Sequence, residues 1–144
     1  MQTTKERRIR DLALFGGCRA DDVRWIAQHA DEVDLEAGRT LAWDGDTARE
    51  FVVLIDGVCS VRDDDDDEVL LGPGSYYGEV GLMAGDRQRG TLTTRTPARV
   101  LVFGVAAFRG LIHRAPAVRQ VLLRDLGARV READHEVARL RAVS

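Results

Sequence analysis

Gly72-Pro73-Gly74-Ser75-Tyr76-Tyr77-Gly78-Glu79-Val80-Gly81-Leu82-Met83-Ala84-Gly85-Asp86-Arg87-Gln88-Arg89-Gly90-Thr91 is the stretch on which the reading of this chain turns. It holds six glycines in the 19 residues from Gly72 to Gly90, a density that no stable strand interior would carry. Glycine spent so freely lets main-chain amides approach something closely, and N–H groups at the head of a short helix attract an anion. Glu79 to Met83 can make that turn of helix. Arg89, on the far lip, offers the planar fork that grips a phosphate through two parallel hydrogen bonds. Glu79 sharpens the picture, because a carboxylate inside an anion-binding loop repels the ligand unless it has another partner. A sugar hydroxyl is such a partner, since a carboxylate only accepts and a hydroxyl donates. Loop amides, an arginine and a set-back glutamate together describe a site for a sugar phosphate with a free ribose hydroxyl.

On either side of the loop the pattern has period two. Val33, Leu35 and Ala37 alternate with Asp34 and Glu36, and further β segments fall at Thr40–Trp43, Phe51–Ile55, Val58–Arg62, Glu68–Leu71, Thr91–Arg95 and Val100–Phe103. Asp44-Gly45-Asp46, Asp56-Gly57 and Gly72-Pro73-Gly74 supply the turns. Many short strands so spaced predict a small barrel or sandwich. The ends of the chain have the helical period instead. Lys5 to Phe15 reads as a helix stopped by Gly16-Gly17, and Ala20 to Ala30 as a second, with Asp21 and Asp22 in its first turn. Ala106 to His113 follows the strands. Pro116 then opens a last helix with room to run to Val143. Along it Leu123, Leu126, Val130, Ala133, Val137 and Leu140 are spaced as a heptad seam, with valine at a and leucine at d as in parallel two-stranded coils. Arg129 would face Asp134 of a second copy, and Glu136 would face Arg141. The same seam can instead pack on its own barrel.

The 144 residues make one domain, and 44% apolar composition is enough for a core. Lys5 is the single lysine, and 21 basic residues against 24 acids leave a net charge of −3, which disfavours a nucleic-acid binder. The charge is segregated. Residues 31–68 carry 14 acids and three bases, and residues 109–144 carry eight arginines and four acids. The tail arginines alternate with Asp125, Glu132, Asp134 and Glu136, which would repel DNA. No apolar run is long enough for a membrane helix, and residues 1–10 lack a secretory signal. Cys18 and Cys59 form no CxxC, and read as small apolar fillers in a cytoplasmic protein. His29, His113 and His135 lack metal-ligand spacing and none falls on a β segment, so a zinc enzyme or a cupin-type oxygenase is not expected. Asp63–Asp67 with Glu68 reads as a solvated hairpin tip, without the glycine-spaced loop calcium needs. Trp25 and Trp43 read as packing residues, and one of Tyr76 and Tyr77 as packing beneath the loop.

The order Gly38, Gly45-Asp46, Gly57, Gly74, Gly78-Glu79-Val80-Gly81-Leu82-Met83 and Arg89-Gly90-Thr91, continuing through Phe108-Arg109-Gly110-Leu111-Ile112, resembles the cyclic nucleotide-binding domain. Within that superfamily it is most similar to the sensor half of the catabolite activator family, from about Leu12 to Leu140. The resemblance implies a mainly β fold: an eight-stranded antiparallel, jelly-roll-like β-roll at about 31–104. It would be flanked by N-terminal helices at about 4–30 and two C-terminal helices at about 105–143, all one domain.

It also implies roles. Glu79 matches the glutamate that binds the ribose 2′-hydroxyl, and Arg89 the arginine that pairs with the cyclic phosphate. Amides near Gly81 and Gly90 complete the cradle, Gly78 counts among the ligand-binding residues, and Val80, Leu82 and the strand from Thr91 wall the ribose and base. Two departures stand out. Gly90 replaces a residue that often carries a hydroxyl, keeping the amide and losing the side-chain contact. Ala133-Asp134 replaces a Thr-Ser pair that reads adenine, so Asp134 would accept from an adenine amino group or from a guanine edge. The expectation is a non-catalytic, cytoplasmic sensor without a cofactor. It would take cyclic AMP ahead of cyclic GMP and form a homodimer through its last helix. With no helix–turn–helix after Ser144, direct DNA binding is not expected. A nucleotide-independent dimerisation or docking module on the same fold is the alternative.

Overall fold

The computed structural model describes residues 2–63, 65–85 and 87–128. Helix α1 (Thr4–Asp11) starts where the Thr3 hydroxyl accepts from the Glu6 amide at 3.1 Å, and it buries Ile9. It stops earlier than the expected Lys5–Phe15 helix. Leu12 is extended, and a 3-10 turn covers Ala13–Phe15. A continuous helix would point Leu14 away from the face of Ile9 and Leu12 and leave Phe15 at its margin. The break turns all four inward, and all four are buried. Helix α2 (Ala20–His29) buries Val23 and Ile26. The chain's one lysine closes its end, Lys5 Nζ donating to the Ala27 and Ala30 carbonyls at 2.6 and 2.7 Å, where a cation suits the helix dipole.

Eight antiparallel strands follow, as expected: β1 (Asp31–Leu35), β2 (Thr40–Ala42), β3 (Glu50–Asp56), β4 (Cys59–Arg62), β5 (Glu68–Leu71), β6 (Tyr76–Tyr77), β7 (Thr91–Thr94) and β8 (Ala98–Gly104). They form two four-stranded sheets, ordered β1-β8-β3-β6 and β2-β7-β4-β5. Helix α3 (Glu79–Ala84) interrupts the roll, α4 (Val105–Arg114) leaves it, and residues 116–128 form the helix that Pro116 opens, α5.

The unbroken apolar run of β3 has a simple cause, for both of its faces are covered. Phe51 and Val53 join Leu101 and Phe103 of β8 against the helices, with Phe108, Leu111, Val118 and Leu122. Val52 and Leu54 face the second sheet with Val100, Cys59 and Leu92. Phe51 sits at the centre of the helical cluster, its ring centroid 5.0 Å from Phe108 and 5.6 Å from Phe103. Such a side chain contributes about 1.5–3 kcal/mol through burial alone.

Cys59 is buried between the sheets. Cys18 packs on the helical cluster, and burial, with the nearby Asp22 charge, pushes its thiol up to about 11. Both act as small apolar side chains. The acidic run is a hairpin tip, where Arg62 pairs with Glu68 in register and the Asp63 carboxylate accepts from the Asp65 and Asp67 amides.

Trp43 corrects the reading of it as a packing residue: it is 59% exposed. The register between β2 and β7 shifts between Thr40 and Ala42, so the alternation stops before Trp43 and leaves it outside. Trp25 is half-buried, stacked on His29 and under Arg114. On α5, Val118 and Leu122 face the chain's own core, while Leu123, the first seam position, is 49% exposed. The seam positions from Val130 onward, their charged flanks, His135 and Asp134 lie outside the described residues.

Candidate functional site: the loop from Gly72 to Thr91

The near lip is zipped onto β3. Gly74 donates its amide to the Leu54 carbonyl at 2.7 Å, and the Leu54 amide donates to Ser75 O at 2.8 Å. Tyr76 and Tyr77 then pair with Val53 and Val52 as the edge strand β6. Gly78 must be glycine: its φ is +105°, and a Cβ there would stand 2.2 Å from the Glu50 carbonyl oxygen. That close approach drives the chain straight into α3, whose first residue, Glu79, is only 3% exposed. Gly81 is buried and Val80 half-buried. Leu82, expected on the ribose and base wall, lies three residues after Glu79 on α3. With Met83 it packs on the helical cluster, lining a groove with Phe108 and Ile112 of α4.

The far lip is tied to the loop between β2 and β3. The Gly45 amide donates to Gln88 O at 2.9 Å, the Gln88 amide to Asp46 O at 2.7 Å, and Arg87 Nη1 to Gly45 O at 3.0 Å. Arg89 projects at the surface. Gly90 is buried with φ +101°, and a Cβ there would lie 2.7 Å from Val61 Cγ1. The missing hydroxyl at this position is therefore a steric consequence of the backbone. Its amide was expected to complete the cradle. Instead it donates to the Asp44 carboxylate, at 2.6 Å from Oδ1, while the Asp44 amide donates to Thr91 Oγ1 at 3.1 Å. An acid 46 residues away in sequence meets the far lip, and only the fold brings the two together.

Tyr77 is the residue beneath the loop. Its hydroxyl reaches the Arg89 and Gly90 carbonyl oxygens at 2.7 and 3.1 Å. Burial, then the Asp44 and Glu79 charges, push its phenol up to about 12, so it stays a neutral donor. The charges of Asp44 and Glu79 thus both reach this one hydroxyl. A cavity of about 10 Å³ lies between Tyr77, Leu71, Leu92 and their neighbours, barely room for one water. Tyr76, its neighbour, points the other way. It packs on Phe51 and its hydroxyl donates to Asp125 on α5, which joins the loop's entry strand to the last described helix. Asp44, the Tyr77 hydroxyl and the Tyr76–Asp125 link were all missed in the sequence. The one available signal was the glycine at position 90.

Among the described residues no three His, Cys, Asp or Glu side chains gather as a metal site, and no helix is long and apolar enough to cross a membrane. Comparison with known proteins gives this geometry a lineage. The family model described as the cyclic nucleotide-binding domain matches residues 32–115, from β1 to the end of α4. The CRP-like cAMP-activated global transcriptional regulator of Mycobacterium tuberculosis is 26% identical over 132 residues, covering 88% of this chain and 59% of that protein. This chain thus spans about three-fifths of that relative's length. The catabolite activator protein of Thermus thermophilus superposes with a TM-score of 0.76 at 25% identity, over 88% of this chain and 62% of that one. A regulatory subunit of a cAMP-independent protein kinase A from Trypanosoma brucei superposes with a TM-score of 0.75 at 18% identity, over 85% and 46%. With a family match over more than half its length and the two-sheet roll in place, this chain belongs to the cyclic nucleotide-binding domain family.

Proposed function

We propose that this chain is a regulatory sensor module that binds a cyclic mononucleotide, cyclic AMP ahead of cyclic GMP, in the loop 72–91. In this reading it acts in the cytoplasm, catalyses nothing, needs no cofactor, and pairs with a second copy through its last helix. The observation that carries it is a pairing on one loop of a cyclic nucleotide-binding fold: a buried acid, Glu79, and an exposed guanidinium, Arg89. Arg89 meets the cyclic phosphate with charge-assisted hydrogen bonds worth about 1.5–3 kcal/mol each. Glu79 accepts from the ribose 2′-hydroxyl, and Asp134 reads the base. Occupancy reaches α5 because β6 both leads into the loop and carries Tyr76, which holds Asp125. A ligand shifts that helix only so far as it prefers one of its positions.

Titration calorimetry with cyclic AMP and cyclic GMP tests the reading. Arg89→Ala should weaken binding by on the order of tens to thousands of fold, and Glu79→Gln should erode the preference for ribose over 2′-deoxyribose. Affinity indifferent to Arg89 would remove the proposal.

A second reading, a dimerisation or docking module that ignores nucleotides, is favoured by one observation: the Gly90 amide is engaged by Asp44. The Trypanosoma brucei subunit is described as cAMP-independent, so the fold itself does not demand a response to cyclic AMP. Thermal unfolding separates the two. Millimolar cyclic nucleotide should raise the midpoint by several degrees in the first reading, by linkage, and leave it unmoved in the second.

A further inference from the structure

We infer that Asp44 is a tethered competitor for the cyclic phosphate, and that its carboxylate sets how tightly this chain binds an anionic ligand. The inference rests on the cyclic-nucleotide reading above and concerns the same site. Its ground is the 2.6 Å bond from the Gly90 amide to Asp44 Oδ1, in which an anionic oxygen already sits on the donor a phosphate oxygen would take.

The acid is held there by its neighbours. The Asp44 amide donates to Thr91 Oγ1, and the residues after it exchange main-chain hydrogen bonds with Gln88, so the turn is fixed against the far lip. A group delivered by its own backbone competes at a high effective concentration. The acid also has somewhere to go. Asp44 lines a groove of about 400 Å³ together with Arg62, Arg95 and the acids Asp63 and Asp66, open space into which its carboxylate can swing. Both arginines already pair with Glu68, at 3.3 and 2.9 Å, so the displaced carboxylate exchanges the Gly90 amide for water rather than for a new ion pair.

The consequence is arithmetic. Only molecules with Asp44 swung out bind the phosphate, and apparent affinity falls by that fraction. A neutral ligand that lacks the phosphate does not meet the competition. Asparagine would keep an accepting oxygen without the charge and compete less well. Alanine would not compete at all.

The experiment is calorimetric titration of cyclic AMP and of adenosine into the wild type, Asp44→Asn and Asp44→Ala. The Gly90 amide proton is followed by NMR in the ligand-free proteins. Cyclic AMP affinity should rise on the order of ten- to a hundredfold in Asp44→Ala and by less in Asp44→Asn, the loss of one charge-assisted bond. Adenosine affinity should change less than about threefold, since no charge is involved. The Gly90 amide proton should move upfield in Asp44→Ala. If Asp44→Ala does not fold, Asp44→Asn carries the same test with the smaller shift. Cyclic AMP binding by the wild type that is unchanged or weakened in the variants overturns the inference and leaves the reading of the site standing. Equal gains for adenosine and cyclic AMP also overturn it, because they mean a loosened loop. No cyclic AMP binding by any of the three proteins overturns the reading and the inference together.

Discussion

The two lips of the loop are built differently. The near lip, residues 72–78, is main chain laid on main chain: Gly74 and Ser75 exchange hydrogen bonds with Leu54, β6 pairs with β3, and Gly78 presses on the Glu50 carbonyl. The far lip, residues 87–91, shares backbone bonds with the 45–46 turn, but its Gly90 amide is satisfied by a side chain, Asp44. Backbone ladders cannot be exchanged for a ligand without dismantling the sheet. A carboxylate on an amide can be, because a phosphate offers the same kind of acceptor. The near lip is therefore scaffold, and the far lip is where the proposed ligand would exchange with a protein group.

The sharpest way to break that distinction is to add one methyl to each lip. Gly78→Ala combines a left-handed backbone with a collision against main chain, and should cost roughly 3–5 kcal/mol in urea unfolding, enough to threaten the fold. Gly90→Ala carries the same left-handed strain but meets a Val61 methyl before any main chain, and should cost less, about 1–3 kcal/mol, while reducing ligand affinity. Equal costs would mean that the far lip is as rigid as the near one.

Tyr77→Phe tests the brace beneath the far lip. Near neutral pH the loss of its hydrogen bond should cost about 1 kcal/mol. The pH dependence has a definite sign. The folded phenol titrates near 12 against an ordinary 10.0, so its stabilising contribution is complete below pH 10 and disappears as pH rises from 10 to 12. Tyr77→Phe should lack that extra fall in melting temperature above pH 10, and an identical fall in both proteins would refute the assignment.

The smallest effect is expected at Tyr76→Phe, which removes the hydroxyl that holds Asp125. Stability should drop by about 1 kcal/mol or less, and ligand affinity by less than about threefold. Hydrogen exchange in residues 116–128 should nevertheless stop responding to ligand. An unchanged response would move the coupling route elsewhere.

Much of this was legible in the sequence, for physical reasons that also explain the misses. The continuous apolar run Phe51–Ile55 marks a strand covered on both faces, and the glycine-dense stretch with Glu79 and Arg89 marks the loop, because each rests on local composition. The strand β6 was not legible, since two residues bounded by glycines carry no period. The break at Leu12 and the exposure of Trp43 depend on which face the finished core offers. The packing of Leu82 on the helical cluster was not legible either, because a helix of six residues gives no reliable face. Asp44 read as an ordinary Asp-Gly turn, and its role exists only once the roll closes and brings it to Gly90. The seam beyond Leu126 and the base-reading Asp134 stand as sequence expectations.

The most direct test follows the amides of both lips by two-dimensional nitrogen–proton NMR while cyclic AMP is added to the wild-type chain. Gly90 and Arg89 should show large, saturable shifts, with Asp44 moving in step, while Leu54 and Gly74 stay nearly fixed. Saturable binding that shifts the near lip and leaves Gly90 unmoved would contradict the claim that the far lip takes the phosphate.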